Sequence, residues 1–150
     1  MQGRFETFTV LIAKINRNIR KIKNEEMSEY NLRSSHISCL YYLYISEKLT
    51  STELCEKCEE DKATISRSID YLEKNGFITC GEKNIKRYRS PILLTEKGKE
   101  AGAKITDKIN KVLDEVSDGL TENEREELYK NLTMISDRLN AITNRLTNKK

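Results

Sequence analysis

Two apolar stripes, one at each end of the chain, constrain the fold more than any other feature. Near the N-terminus Phe5, Phe8, Ile12, Ile15, Ile19 and Ile22 follow steps of 3, 4, 3, 4 and 3. Near the C-terminus Leu128, Leu132, Ile135, Leu139, Ile142 and Leu146 follow steps of 4, 3, 4, 3 and 4. Such spacing puts each set along one side of a helix. The predicted terminal helices span residues 4–26 and, with a break at Gly119, residues 96–147. The centre between them, residues 32–94, is too small to cover both stripes. The economical arrangement packs the stripes together and against a second copy of the chain. The alternative is a monomer whose terminal helices fold back on the centre. The dimer is the expectation, because bare stripes of this length invite aggregation.

Composition excludes several classes. Leu, Ile, Val and Phe make up 36 of the 150 residues, and net charge is +3. A disordered chain would carry fewer apolar residues or more unbalanced charge, so this chain folds, as one domain over residues 1–150. No apolar run approaches the ~18 residues of a membrane helix, and no secretory leader is recognisable. The expected location is the cytoplasm, with the four cysteines as reduced thiols. A single His and no Trp leave little for histidine-based catalysis. His36 and Cys39 lie three apart on a predicted helix, but no orienting group or oxyanion site accompanies them. Binding, not chemistry, is the expected activity: no enzyme and no cofactor.

The centre is punctuated by helix signals. Residues 24–31 read as a polar connection, followed by a helix from about Leu32 to Glu47, and Leu49-Thr50 reads as the end of a turn. Thr50 with Glu53 forms a capping-box pattern ahead of a short helix to about Glu59. Asp61 reads as the cap of the next helix, which runs to Asn75, with Ile65, Ile69 and Leu72 on its inner side. Gly76 follows as a left-handed stop. Residues 77–80 read as a strand, 81–87 as a basic hairpin tip and 88–94 as the returning strand. Pro91 makes that strand short or an edge. Thr95 caps the next helix, and Thr121 with Glu124 repeats the capping box.

The order helix, turn, helix, hairpin is that of a winged helix-turn-helix, whose second helix enters the DNA major groove. The predicted class is mainly α with a small β-hairpin wing (α+β): a winged helix-turn-helix core flanked by long N- and C-terminal dimerisation helices. Residues 51–76 form the helix-turn-helix and 77–94 the wing. Charge is segregated along this centre. Residues 53–61 hold five acids and one base, whereas 62–89 hold seven Lys or Arg against three acids. Phosphate binding needs such a local surplus, whatever the net charge.

At residues 51–80 and 87–98 the chain resembles the MarR family of bacterial transcriptional regulators. The specific pieces are Asp61-Lys-Ala-Thr-Ile-Ser-Arg67, Leu72-Glu73-Lys74-Asn75-Gly76-Phe77-Ile78 and Leu94-Thr95-Glu96-Lys97-Gly98, in matching order and separation. The chain departs from the pattern at Glu59 and Glu60, where the family often has a Gly and an apolar residue. In the wing it reads Asn84-Ile85-Lys86-Arg87, where the family often has Asp-x-Arg. The resemblance implies a homodimer, with repression as the expected mode, that binds pseudo-palindromic promoter DNA. It also implies control by a small-molecule effector or by oxidation.

The candidate DNA contacts follow from their places. Lys62, Ala63, Thr64, Ser66, Arg67 and Ser68 lie on the recognition helix, and Ser51 and Thr52 open the helix before it. Lys83, Lys86 and Arg87 sit at the hairpin tip, suited to the minor groove or backbone. Hydroxyls and lysines bind phosphates, while arginine reads guanine edges or binds phosphate. His36, Tyr41 and Tyr44 are the candidate lining of an effector pocket, although core packing explains the same side chains. Cys55 and Cys58 have a Cys-x-x-Cys spacing that Cys39 and Cys80 could complete as a zinc set. A second Cys-x-x-Cys is absent, and cysteines there also pack as small hydrophobes, so no metal is expected. A thiol-redox or metal-responsive sensor using Cys55 and Cys58 is the alternative function.

Overall fold

The capping signals fix the helix boundaries. A computed structural model describes residues 3–81 and 90–148. Helix α1 spans Arg4–Glu26, α2 Ser34–Ser46, α3 Ser51–Cys58, α4 Lys62–Lys74, α5 Glu96–Val116 and α6 Glu122–Thr147. Three short strands, β1 (Lys48–Leu49), β2 (Ile78–Cys80) and β3 (Ile92–Leu94), form an antiparallel sheet in the order β1-β3-β2. Both predicted capping boxes close, Thr50 with Glu53 and Thr121 with Glu124, each satisfying two backbone donors that a helix start leaves orphaned. Asp61 caps α4 by accepting the Thr64 N–H at 2.8 Å. Gly76 takes the left-handed φ of 75° that ends α4. Among the described residues no helix is long and apolar enough to cross a membrane.

Two expectations need correction. Residues 24–31 are not simply a polar connection: α1 runs through Glu26, and a single 3-10 turn follows at Ser28–Tyr30. Met27 and Leu32 are buried on either side of that turn and anchor it to the core. Lys48 and Leu49 are a strand rather than part of a turn, pairing with Leu93 and Ile92. The returning strand is short, as Pro91 implied, with only Ile92–Leu94 in it, and it is central in the sheet because β1 joins one side of β3 and β2 the other. Pro91 is tolerated because it precedes the strand and uses only its carbonyl, which accepts the Gly81 N–H at 3.1 Å. The wing residues 82–89 lie outside the described residues.

By its internal contacts the chain divides into two compact units, Met1–Ile109 and Asn110–Lys150. The first unit holds the core. Ile37, Leu40 and Leu43 of α2 meet Leu54 of α3 and Ile65, Ile69 and Leu72 of α4, with Phe77, Ile78 and Ile92 closing the sheet side. Each such side chain contributes roughly 1.5–3 kcal/mol when fully buried. In the second unit α6 has no buried residue at all. Its stripe remains bare: Leu139 is 48% and Leu146 61% exposed. The α1 stripe is bare too, with Ile15 54% and Ile19 46% exposed.

The Leu94–Gly98 motif has a packing reason. Thr95 donates its backbone N–H to the Phe77 carbonyl at 3.0 Å and its hydroxyl to the Gly76 carbonyl at 2.6 Å. The start of α5 is thereby drawn onto the end of α4 and the first residue before β2. A Cβ on Gly98 would lie 1.9 Å from the Phe77 carbonyl oxygen, a contact only glycine avoids. Gly98→Ala is therefore expected to destabilise the chain by about 1–3 kcal/mol, as overpacking does. Urea unfolding followed by circular dichroism measures this, and an unchanged midpoint would refute the close approach.

Candidate nucleic-acid interface

Helix α4 has one buried and one open side. Ile65, Ile69 and Leu72 face the core, while Ala63, Ser66, Arg67 and Asp70 are exposed. The exposed four recur at helical spacing and form a ridge along the helix. Lys62 is exposed at its first turn. Two clefts flank the ridge. One, of about 610 Å³, is lined by residues that include Ser51, Thr52, Cys55, Lys62, Ser66 and Cys80. The other, of about 520 Å³, includes Arg33, His36, Thr64, Arg67, Ser68 and Tyr71. The structure thus brings Ser51, Thr52, Lys62 and Ser66 to one side of the ridge, and Thr64 and Arg67 to the other.

Ser68 is placed differently from its neighbours. It is 2% exposed, because a residue between Ile65 and Leu72 on the core side turns its hydroxyl inward. It lines the floor of the second cleft and does not stand on the ridge. Lys83, Lys86 and Arg87 lie outside the described residues.

The ridge is pre-positioned by a chain of polar contacts. Asp61 accepts the Thr64 backbone N–H and the Thr64 hydroxyl, each at 2.8 Å. The Arg67 guanidinium then donates to the Thr64 hydroxyl oxygen at 3.3 Å. Those hydrogen bonds from Thr64, with Arg67 nearby, hold the Asp61 carboxyl below the ordinary aspartate range. At neutral pH the cap is therefore charged, next to the positive end of α4. The turn before it carries Glu59 at φ 52°, a left-handed conformation that favours glycine. That is the position where the MarR pattern often has a Gly, so this chain accepts backbone strain there.

The second cleft contains pairings that no sequence spacing announces. The His36 and Tyr71 rings stack with centroids 4.2 Å apart and planes 3° from parallel. The Tyr71 hydroxyl donates to the Asn31 carbonyl at 2.8 Å, a contact across 40 residues. His36 Nδ1 accepts the Arg33 backbone N–H at 3.1 Å, which leaves the proton of the neutral ring on Nε2. Burial, and secondarily the Arg33 guanidinium, push the His36 pKa below its ordinary value. Of the other candidate effector residues, Tyr44 lies against Gly102 of α5, where a Cβ would come within 2.7 Å of its own Cβ. Tyr41 stands edge-on to Tyr42, with centroids 5.2 Å apart. The three candidates are thus on different contacts, and only His36 opens onto the cleft beside α4.

Cys55 and Cys58 also part company. Cys55 lines the first cleft with Cys80, whereas Cys58 shares a hydrogen bond with Cys39 of α2. Among the described residues no group of three or more His, Cys, Asp or Glu is placed to hold a metal ion.

The chain is similar to known regulators. A family model described as "MarR family" matches residues 30–82. The uncharacterised HTH-type transcriptional regulator YwoH of Bacillus subtilis (strain 168) is 31% identical over 93 residues, covering 60% of this chain and 68% of its own. The HTH-type transcriptional regulator BilQ of Clostridioides difficile (strain CD3) is 22% identical over 138 residues, covering 92% and 93%. A MarR family transcriptional regulator from Listeria monocytogenes, solved as a complex with 26mer DNA, superposes with a TM-score of 0.78 at 26% identity. The superposition covers 85% of both chains.

The stack generates a pH prediction. His36, the chain's single histidine, has a folded pKa below its unfolded value. The unfolded state therefore binds the proton more readily, and stability rises with pH. The contribution is fully present above the ordinary imidazole value and is lost as pH falls from there through the folded pKa. Urea midpoints measured between about pH 7.5 and about pH 5 should fall with pH in the natural chain and fall less in His36→Gln. Equal slopes would refute the role of the buried imidazole.

Proposed function

Because the chain belongs to the MarR family of transcriptional regulators, we propose that it acts as a homodimer on a pseudo-palindromic promoter site, with one α4 ridge in each of two successive major grooves. The observation that carries this reading is the α4 ridge itself. Ala63, Ser66 and Arg67 stand exposed on a helix whose other side is fixed in the core. Arg67 is aimed by the Asp61–Thr64 pair, and arginine is the side chain best suited to the guanine edge. Lys62, Thr64 and Ser66 on α4, and Ser51 and Thr52 at the start of α3, supply phosphate partners that set register. Two structural relatives solved with DNA support the direction, one from Listeria monocytogenes and one S. aureus MepR. In this reading Lys83, Lys86 and Arg87 contact the minor groove or backbone beside each half-site.

The dimer rests on the bare stripes. Within one protomer Phe8, Ile12, Ile15 and Ile19 of α1, and Leu128, Leu132, Leu139 and Ile142 of α6, all remain more than a third exposed. Contiguous exposed apolar surface of this kind marks an interaction site rather than ordinary scattered exposure. Helices 4–26 and 96–147 are accordingly the dimerisation elements, and the half-sites they set are roughly 34–36 Å apart. A small-molecule effector that changes this spacing would change affinity. Repression is the mode this reading adopts.

Random-oligonucleotide enrichment with the purified chain tests the central reading. A recurring inverted repeat is the expected result, and the absence of any selected sequence would overturn it. On the selected site Arg67→Ala should weaken binding by about 1–3 kcal/mol and relax preference at one base pair. Fluorescence anisotropy reads this, and an unchanged affinity would remove Arg67 from the base contacts. Light scattering after size exclusion should give twice the 17.5 kDa of one chain. A species of single-chain mass at micromolar concentration would refute the dimer.

A further inference from the structure

The cleft between the start of α2 and α4 holds two buried donors without a partner. Its volume is about 520 Å³, and no carboxylate is among its lining residues. Arg33, the residue before α2, is exposed on one wall and forms no ion pair among the described residues. Arg67 stands on the other wall. The Asp61 carboxylate is engaged by Thr64 and lies near Arg67 rather than Arg33.

The two donors are His36 and Ser68, only 9% and 2% exposed. Nδ1 of His36 accepts the Arg33 backbone N–H, so Nε2 carries the proton of the neutral ring. Neither Nε2 nor the Ser68 hydroxyl has a hydrogen-bond partner among the described residues. A buried donor without an acceptor is costly, so both call for one. Two guanidinium groups, two neutral donors and no acid in the lining suit one ligand class, an oxyanion.

We propose that this cleft seats a phosphate of the DNA backbone, with Arg33 as its cation and His36 Nε2 and the Ser68 hydroxyl as its neutral donors. The proposal rests on the function proposed above and names a partner for the second flank of the same helix.

The argument for DNA is the width of the groove. A helix with its side chains is roughly 10–12 Å across and the major groove about 12 Å wide, so a helix lying there has a phosphate strand along each flank. On the first flank Ser51, Thr52 and Lys62 line the neighbouring cleft and suit one strand. On the second flank Thr64 is occupied by Asp61, and Arg67 is aimed at the bases. Arg33 is the cation left for the strand on that side. It lies outside the helix-turn-helix, on the chain just before α2, so α4 alone does not reveal it. Two contacts hold it in the frame of α4. Asn24 of α1 accepts the Ser34 N–H at 2.8 Å and fixes the start of α2. The stacked rings of His36 and Tyr71 then join α2 to α4. A free phosphate offers the same oxygens, but the cleft opens beside the exposed ridge, where a strand must pass.

The test uses the full chain and its selected DNA, made with a single uncharged methylphosphonate at each backbone position around one half-site in turn. Affinity is read by fluorescence anisotropy. One flanking position should cost the natural chain about tenfold, as loss of a charge-assisted contact does. The same position should cost Arg33→Ala less than about twofold, because that variant has already lost the contact. The log–log salt slope of Arg33→Ala should be smaller by about 2 per dimer, one unit for each phosphate no longer neutralised. Arg33→Lys should restore most of that slope, and enrichment with Arg33→Ala should select the natural sequence, since phosphate contacts carry no base information. Ser68→Ala should weaken binding about threefold with the salt slope unchanged, as loss of a neutral hydrogen bond does. A natural salt slope in Arg33→Ala, or natural methylphosphonate sensitivity at every position, would overturn the proposal. Should Arg33→Ala unfold early in urea, Arg33→Gln takes its place in the same comparisons. Calorimetric titration of the DNA-free chain with inorganic phosphate at constant ionic strength should give no saturable heat. Saturable binding that Arg33→Ala abolishes would assign the cleft to a free anion and overturn the DNA contact. A natural chain that binds no DNA would overturn the proposed function and this contact together. A natural chain that binds DNA no better than Arg33→Ala would overturn the contact alone.

Discussion

The packing of α4 against α2 is the interaction on which the rest depends. Ile65, Ile69 and Leu72 bury against Ile37, Leu40 and Leu43, and this fixes which side of α4 is left outside. At helical spacing, burial of those three leaves Ala63, Ser66, Arg67 and Asp70 on the ridge. The rotation of the helix about its axis is pinned again by Tyr71, held between the His36 ring and the Asn31 carbonyl. A recognition helix needs that redundancy. An ordering cost left to the moment of binding would be taken from affinity, and a helix free to roll would present several faces to DNA.

The charge pattern works with this packing. Acids gather in residues 53–61 and bases in 62–89, so the boundary falls on the cap of α4. The three acids nearest that cap have different duties. Asp61 caps, Glu60 pairs with Arg20, and Glu59 takes the left-handed turn. They favour the start of α4 electrostatically while leaving its ridge to Lys62 and Arg67. A net charge of +3 would not have revealed this, because opposite local fields cancel in the sum.

What could be read from the sequence was local, and what could not was long-range. The caps at Thr50, Asp61 and Thr121 were legible because donor and acceptor are three residues apart and the chemistry admits few residue types. The stripes were legible because a helix imposes its own period. β1 was not: two residues carry no period, and their pairing with β3 spans the whole helix-turn-helix. For the same reason the central place of β3 was not legible: Pro91 pointed to a short or edge strand, and nothing near it announces a second neighbour. Three residues along a short helix turned Cys55 and Cys58 toward different neighbours, and the partner of Cys58 lay on another helix. His36 and Tyr71 likewise come from separate helices and meet only through the packing of α2 on α4.

Helix α1 ties these parts together because it has two employed sides. One carries the bare stripe of Ile12, Ile15, Ile19 and Ile22. The other makes three contacts with the centre: Arg20 to Glu60 ahead of α4, and Lys23 to Ser38 and Asn24 to the Ser34 N–H on α2. The first and second of these sit beside the turn into α4 and beside Cys58, and the third holds the start of α2, where Arg33 and His36 line the cleft. A helix of 23 residues is stiff over this length, so whatever covers the stripe also sets where those three side chains stand. A rigid secondary element is one physical carrier of coupling between distant sites. Here α1 carries the stripe and, through Arg20 on Glu60, meets the turn that leads into the recognition helix.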